Sequence, residues 1–280
     1  MDELWQTKRA PIWAIIAVVA AHIASTPFFN FVVFPHHWLT PLSHATFGLV
    51  DGTLQANLII IAVVVFGLIF GAARMRPADV GWQSDKLPAA IVFTLGLWAV
   101  ANLLVVAGAE IQGLPIALNE SWTNPGLTQT FGSFIGQIFG NALAEETIFR
   151  GFLTVQLMLI LRPFGKVAAA TIAVIAVQIF FASIHIPMLR EHGVSWTDIF
   201  ETLPSLGLAG AGLAIVYFAT GNLFIAVGIH ALADAYMLIA RDSFPFDDNF
   251  GFVYLGLGLL AALVWRFAWP RVSPVRAVGT

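Results

Sequence analysis

The stretch that decides the fold is Thr130–Leu161, which reads TFGSFIGQIFGNALAEETIFRGFLTVQLMLIL. It is mostly apolar and longer than the roughly 20 residues that an α-helix needs to cross a bilayer. At its centre it carries Glu145, Glu146 and Arg150. Ionisable groups within apolar spans are costly and point to function. This stretch therefore predicts a membrane helix that contributes to a polar site, and a helix of this length must tilt or extend past the headgroups.

The composition of the whole chain is that of a helical membrane protein. Of its 280 residues, 59% are hydrophobic and 10% are charged, and the mean hydropathy is +0.85. Soluble domains have roughly 45–50% apolar and about 25% charged residues, so a soluble enzyme is excluded. The net charge of −3 provides no basic footprint for nucleic acid. The absence of cysteine excludes disulfides, thiolate metal sites and a cysteine nucleophile.

Eight apolar stretches are predicted to be membrane helices. The expected fold class is all-α: a polytopic membrane protein with about eight transmembrane helices that enclose a polar intramembrane site. Residues 1–280 are expected to form a single membrane domain, because no linker-like segment interrupts the series. The predicted spans are Pro11–Phe29, Leu54–Ala73, Leu87–Ala107, Thr130–Leu161, Val167–Ile184, Pro204–Ala219, Asn222–Ala240 and Phe250–Trp269.

Basic residues are distributed unevenly between the two sets of loops. Arg190 and Arg241 lie on one side, and Arg150 lies within a span. The remaining ten basic residues fall on the other side: Lys8, Arg9, Arg74, Arg76, Lys86, Arg162, Lys166, Arg266, Arg271 and Arg276. The positive-inside rule then predicts that both termini are cytoplasmic. We expect a multi-pass protein of a prokaryotic plasma membrane.

Helix geometry separates the two adjacent glutamates of the fourth span. Neighbouring residues in an α-helix point about 100° apart, so Glu145 and Glu146 cannot do the same job. The i,i+4 spacing of Glu146 and Arg150 predicts a buried ion pair that supports the fold. Glu145 instead shares a face with Asn141 and Gln137, and this polar face points to a wet cavity or to another polar helix. A third stripe, at spacing four, predicts close helix packing: Gly132, Gly136 and Gly140.

Two other spans carry histidines that extend the polar set. His185 ends the fifth span, one turn after Phe181. His230 lies four residues before Asp234 in the seventh span, so the carboxylate can orient the imidazole. Either histidine alone is as readily a hydrogen-bonded core residue as a functional one. Two histidines together with two glutamates and an aspartate favour a functional site.

These three segments resemble the CAAX-processing endoprotease and bacteriocin-processing family (CPBP, also called the abortive-infection or ABI family) of glutamate-type intramembrane proteases. The family pattern is Glu-Glu-x-x-x-Arg, then Phe-x-x-x-His, then His-x-x-x-Asn or a similar polar residue, all on membrane helices. Residues 130–240 carry the corresponding motifs in the same order: Glu145-Glu146 with Arg150, Phe181 with His185, and His230 with Asp234. The best-known members have Asn where this chain has Asp234.

The resemblance implies an intramembrane endopeptidase that hydrolyses a peptide bond in a hydrophobic peptide or a membrane-proximal protein tail. In this scheme Glu145, helped by His185, activates a water molecule, and His230 with Asp234 stabilises the oxyanion. Supporting roles are expected for the remaining polar residues of the fourth span: Glu146, Arg150 and Asn141. The expected partners are the lipid bilayer and the peptide or protein substrate. No nucleic acid and no cofactor are expected.

Alternatives remain open at the level of sequence. The residue types of Glu145, Glu146, His185 and His230 also suit zinc, although the resemblance favours metal-free chemistry. A non-catalytic membrane regulator or immunity protein would instead bind a partner through the same cavity. A proton-coupled transporter also uses buried carboxylates, but no inverted repeat is evident. An ionised Asp234 donates no hydrogen bond, so it is either protonated or holds His230 as an imidazolium donor.

Overall fold

The computed structural model describes residues 4–241 and 250–268, and within them the fold is built of helices, without a named β-strand. Eight apolar helices lie within these described residues: α1 (Ile12–Val33), α2 (Gly52–Ala72), α3 (Ser84–Gln112), α4 (Leu127–Phe164), α5 (Lys166–Glu191), α6 (Trp196–Thr220), α7 (Leu223–Asp234) and α8 (Phe250–Arg266). Helices α1 to α6 are each long and apolar enough to cross a membrane, and α7 and α8 are shorter. The prediction of an all-α polytopic membrane fold is confirmed.

Helix α7 departs most from the prediction. The seventh span was expected to reach Ala240, but the helix ends at Asp234 after 12 residues. From Ala235 the backbone is extended, and Ile239 accepts a backbone hydrogen bond from Asn119. The apolar run therefore changes from helix to extended chain because its backbone groups find partners in the loop before α4. Trp269, the predicted end of the eighth span, lies outside the described residues, as do Arg271 and Arg276.

Helix α4 is the central element and is the most buried of the six candidate spans. Its glycine stripe lies against the segment that leads into α2. A Cβ atom at Gly132 would collide with the carbonyl oxygen of Gly48, and one at Gly140 would lie 3.2 Å from the Cα of Leu54. The predicted close packing is therefore present, because only glycine allows the two backbones to approach this far.

Two hydrophobic clusters divide the bundle. One joins α4 to α1, α2 and α5, and includes Val18, Val64, Phe149 and Phe181. The other joins α3, α6, α7 and α8, and its members include Ala101, Leu213, Ile225 and Tyr254. The polar residues of α4 and α7 lie between these two apolar regions.

Helix α4 is not regular along its length. Two parts of it, Gln137–Asn141 and Glu146–Thr154, have the i→i+5 hydrogen bonds of a π-helix. The hydroxyl of Thr154 repeats this spacing, because it donates to the carbonyl of Phe149 at 2.7 Å. Such π-turns are frequent at functional sites. A straight α-helix of 38 residues would be about 57 Å long, against about 30 Å of hydrocarbon, so α4 must tilt or extend past it.

The loops at one end of the bundle carry most of the described basic residues, and we call this the basic end. There the Lys8 ammonium donates to the carbonyl of Arg74 at 2.8 Å. The amide of Asn222, which also caps α7, donates to the carbonyl of Lys86 at 2.8 Å. The first bond holds the N-terminal segment against the loop that follows α2, and the second holds the start of α7 against the first turn of α3.

At the opposite end, two tryptophans hold the segment that follows α7. The indole of Trp98 donates to the carbonyl of Met237 at 2.8 Å, and that of Trp122 donates to the carbonyl of Leu238 at 2.7 Å. Buried indole N–H groups require such acceptors. The two bonds fix the chain just beyond Asp234, and so they position the last turns of α7.

Candidate active site

A polar cluster forms where the middle of α4 meets the last two turns of α7, and His230 is at its centre. The Nδ1 atom of His230 lies 2.8 Å from Oε1 of Glu146. Its Nε2 atom lies 3.3 Å from Oδ2 of Asp234 and 3.7 Å from Oε2 of Glu145. Three carboxyl groups from two helices therefore surround one imidazole. The structure thus brings Glu145, His230 and Asp234 together, as the sequence predicts.

One side of this cluster is fully buried. Glu146 and Arg150 form the predicted ion pair, with Oε1 and NH1 at 3.0 Å and both side chains inaccessible to solvent. The NH2 group of Arg150 donates to Oε1 of Gln178 at 3.3 Å, and the guanidinium lies 4.5 Å from the centre of the Phe181 ring. Arg150 therefore ties α4 to α5 through hydrogen-bonding and cation–π contacts.

The other side of the cluster is open. The side chain of Glu145 is 12% exposed and that of Asp234 is 37% exposed. The Asn141 amide donates to Oδ2 of Asp234 at 3.4 Å. The polar face predicted on α4 is therefore turned toward α7. On that face, Oε1 of Gln137 and Oε2 of Glu145 are buried atoms without a hydrogen-bond partner among the described residues.

His185 lies on α5 and is partly buried. Its Nδ1 lies 2.8 Å from the carbonyl oxygen of Phe181, and its ring packs edge-on against the ring of that residue. Because a carbonyl can only accept, Nδ1 carries the hydrogen, and Nε2 of the neutral ring keeps its lone pair. His185 lies within electrostatic range of Glu145. No hydrogen bond joins these two side chains in the described structure.

Three contacts in or near the cluster were not predicted from the sequence. Gln178 is a single amide in an apolar span, and it lies seven residues before His185 on the same helix face. This placement could have predicted from the sequence that Gln178 contacts the polar cluster. The indole of Trp82 donates to the hydroxyl of Thr147 at 2.8 Å, a contact that no local spacing reveals. The bond between Glu146 and His230 depends on how α4 and α7 pack.

The zinc alternative depends on Glu145, Glu146, His185 and His230. The structure does not arrange these four side chains as a ligand group. Over residues 4–241 and 250–268, no set of three or more His, Asp or Glu side chains has an arrangement that could hold a metal ion.

A family model matches residues 127–236, and its description is Rce1-like, type II CAAX prenyl endopeptidase. The matched segment begins at the first residue of α4 and ends two residues after Asp234, so it contains all the residues of the polar cluster. The match confirms the resemblance inferred from the three motifs. No curated protein and no solved structure matches the chain.

Proposed function

We propose that this chain, whose residues 127–236 match the Rce1-like CAAX prenyl endopeptidase family model, hydrolyses peptide bonds within the membrane with a water activated by Glu145 and His185. The family implies a protease. The observation that carries the proposal is the position of His230: Nδ1 is bonded to the buried Glu146, while Nε2 lies 3.7 Å from Glu145 on the open side. The imidazole of His230 therefore connects the buried carboxylate of Glu146 to Glu145, the carboxylate that we propose reacts.

Glu145 suits the role of general base. Its side chain is 12% exposed, and its buried Oε2 atom has no hydrogen-bond partner among the described residues, so the carboxylate keeps acceptor capacity for a water molecule that enters the cluster. The lone pair on Nε2 of His185 provides a second acceptor within electrostatic range. A positioned general base typically contributes about 10²–10⁴-fold in rate.

We assign stabilisation of the oxyanion to Asn141, His230 and Asp234. Asp234 accepts hydrogen bonds, from Asn141 and from Nε2 of His230, and so acts as an acceptor where an asparagine would also donate. The donors are then Nε2–H of the His230 imidazolium, which turns from Asp234 to the developing oxyanion while Nδ1–H stays on Glu146, and the second N–H of the Asn141 amide. Donors placed where negative charge develops are often the largest single contribution to catalysis.

The bond changes balance without a further reactant. Glu145 accepts a proton from water while the water oxygen bonds to the carbonyl carbon of the scissile peptide. The carbonyl electron pair moves to its oxygen, which becomes the oxyanion beside His230 and Asn141. When the carbonyl forms again, the C–N bond breaks and the departing nitrogen takes the proton from Glu145. The products are a carboxylic acid and an amine, and Glu145 is again a carboxylate.

The proposed substrate is a hydrophobic peptide or the membrane-proximal tail of a protein, because the cluster lies among membrane helices. The proposed setting is a prokaryotic plasma membrane, with both termini cytoplasmic as the bias of basic residues predicts. The family description names a prenyl endopeptidase. Peptides with and without a C-terminal prenyl group therefore form the two arms of the substrate test.

The decisive experiment measures cleavage of such a peptide library by the purified full chain in detergent. Glu145→Ala and His185→Ala should each abolish turnover. The control variants Glu110→Ala and His44→Ala remove the same side-chain types at exposed positions near the end of the bundle opposite the basic end. Both control proteins should retain activity. Active Glu145→Ala protein would disprove the assigned base. Wild-type protein that binds peptides without cleaving them would support the non-catalytic regulator instead.

Metal dependence is tested in the same assay. The metal-free scheme requires activity to survive chelation and extensive dialysis. Activity that is lost on chelation and restored by zinc would replace this scheme with zinc-assisted hydrolysis.

A further inference from the structure

A cavity lies at the basic end, away from the proposed peptidase site. Its volume is about 570 Å³, and side chains from the N-terminal segment and from the end of α4 line it, among them Thr7, Arg9 and Arg162. We propose that this cavity, the N-terminal pocket, binds the phosphate group of an anionic phospholipid.

One wall of the N-terminal pocket is held in place by Gln156, a fully buried residue of α4. Its amide oxygen accepts a hydrogen bond from the backbone N–H of Ala10 at 2.7 Å, and its amide nitrogen donates to the carbonyl of Lys8 at 3.0 Å. The two bonds bracket Arg9. The backbone of Arg9 is therefore fixed against the same helix whose last turn carries Arg162.

The other end of the N-terminal segment is held by Trp5. This buried indole packs in a cluster with Met158 and Ala169, and the Lys166 ammonium lies 5.9 Å from its ring centre. Trp5 and Gln156 thus anchor the segment at two points. The pocket is formed before a ligand arrives, and such preorganisation reduces the entropy lost on binding.

The charge of the N-terminal pocket selects an anion. Arg9 and Arg162 are exposed, and neither guanidinium has a hydrogen-bond or ion-pair partner among the described residues. None of the residues found to line the pocket is acidic. A guanidinium presents a planar set of donors that matches phosphate oxygens, and the hydroxyl of Thr7 adds a further donor.

The position of the pocket favours a lipid over a soluble phosphate. Phe164 and Val167, next to the two cations Arg162 and Lys166 in the chain, are 71% and 82% exposed and offer apolar contact to acyl chains. Basic pockets between transmembrane helices at the cytoplasmic side bind lipid headgroups, and each basic residue near an anionic surface contributes about 1 kcal/mol.

The test places the full chain in phosphatidylcholine vesicles with increasing phosphatidylglycerol and follows its melting temperature. Phosphatidylglycerol should stabilise the wild type. Arg9→Gln and Arg162→Gln should each raise the half-maximal lipid fraction by about fivefold, the equivalent of about 1 kcal/mol per charge. Arg190→Gln, which alters an exposed arginine at the opposite end, should respond like the wild type. Native mass spectrometry should detect less retained phosphatidylglycerol on the two pocket variants.

Two results would overturn the proposal. One is an unchanged response to phosphatidylglycerol in both pocket variants. The other is full stabilisation by inorganic phosphate in pure phosphatidylcholine, which would make a soluble phosphate the ligand of this pocket. Because the readouts are melting and lipid retention, they are independent of peptidase activity.

Discussion

The two adjacent glutamates of α4 belong to a buried half and an open half of one polar cluster. Glu146 is inaccessible to solvent and contacts Arg150 at 3.0 Å and His230 at 2.8 Å. Glu145 is partly exposed and lies beside Asp234 around the other nitrogen of the same imidazole. The comparison teaches that one residue step along a helix is enough to separate a supporting carboxylate from a reacting one.

The strongest way to break this comparison is to neutralise each glutamate in turn. Glu145→Gln should lower turnover by about 10²–10⁴-fold and leave the melting temperature near that of the wild type, because the amide keeps the shape but lacks basicity. Glu146→Gln should lower the melting temperature, since it leaves a buried guanidinium without its counter-ion. The measurements are peptide cleavage and thermal melts. Near-native turnover in Glu145→Gln would remove the distinction between the two halves.

Removing the cation tests the buried half directly. Arg150→Ala leaves Glu146 uncompensated in a low-dielectric site, and we expect the free energy of unfolding to fall by about 3–5 kcal/mol. Expression yield and unfolding in detergent report this loss. An Arg150→Ala protein that is stable but inactive would instead make Arg150 part of the chemistry.

Asp234 tests the open half. Asp234→Leu can neither orient His230 nor accept from Asn141, so His230 should no longer serve as an oxyanion donor. The expected loss is about 10²–10³-fold in rate, the usual effect of losing one such donor. Asp234→Asn should keep substantial activity, because the amide still accepts and can also donate. A pH–rate profile of the three proteins, with melts to check folding, gives the measurement. Full activity in Asp234→Leu would reduce the third motif to His230.

A substitution of Gln178, at the edge of the buried half, tests whether that half affects stability more than turnover. Gln178→Leu removes the acceptor of the Arg150 NH2 group, and we expect a loss of about 1–3 kcal/mol in stability. Its effect on turnover of the folded protein should be small, because Gln178 contacts neither Glu145 nor His230 in the described structure. A large decrease in turnover without a change in melting temperature would contradict this assignment.

An ion pair outside the cluster gives the smallest effect. Burial alone would raise the pKa of Asp79, but hydrogen bonds from the Arg76 side chain and backbone hold it below its usual value. The stability from Asp79 is therefore present above the ordinary aspartate pKa and is lost as the pH falls through the lowered one. Arg76→Gln should weaken this dependence only slightly, because the Arg76 side chain is 79% exposed and solvent screens its charge. Melting temperatures across acidic pH measure it.

What the sequence predicted well depends on spacing within one helix. The Glu146–Arg150 pair and the glycine stripe needed only the knowledge that residues four apart share a face. The start of α6 at Trp196, well before the predicted Pro204, was readable from Ser195, whose side chain accepts from the backbone of Asp198 as a helix cap.

What the sequence left unpredicted depends on contacts between helices. The bond from His230 to Glu146 spans 84 positions in the chain and exists only because α4 and α7 pack together. The π-turns of α4 change which residues share a face, compared with a regular α-helix. No pattern in the sequence predicted these turns. The end of α7 depends on backbone partners in the loop before α4, which lie far away in sequence.

The early end of α7 also has an electrostatic consequence. A helix carries roughly half a negative charge at its C-terminus, from carbonyls without partners in the helix. Had α7 continued to Ala240, this charge would lie far beyond His230. Because α7 ends at Asp234, this partial charge lies about one turn from the imidazole of His230 and favours a cation there. The same field disfavours a carboxylate at Asp234, which explains why donors from Asn141 and His230 both converge on that side chain.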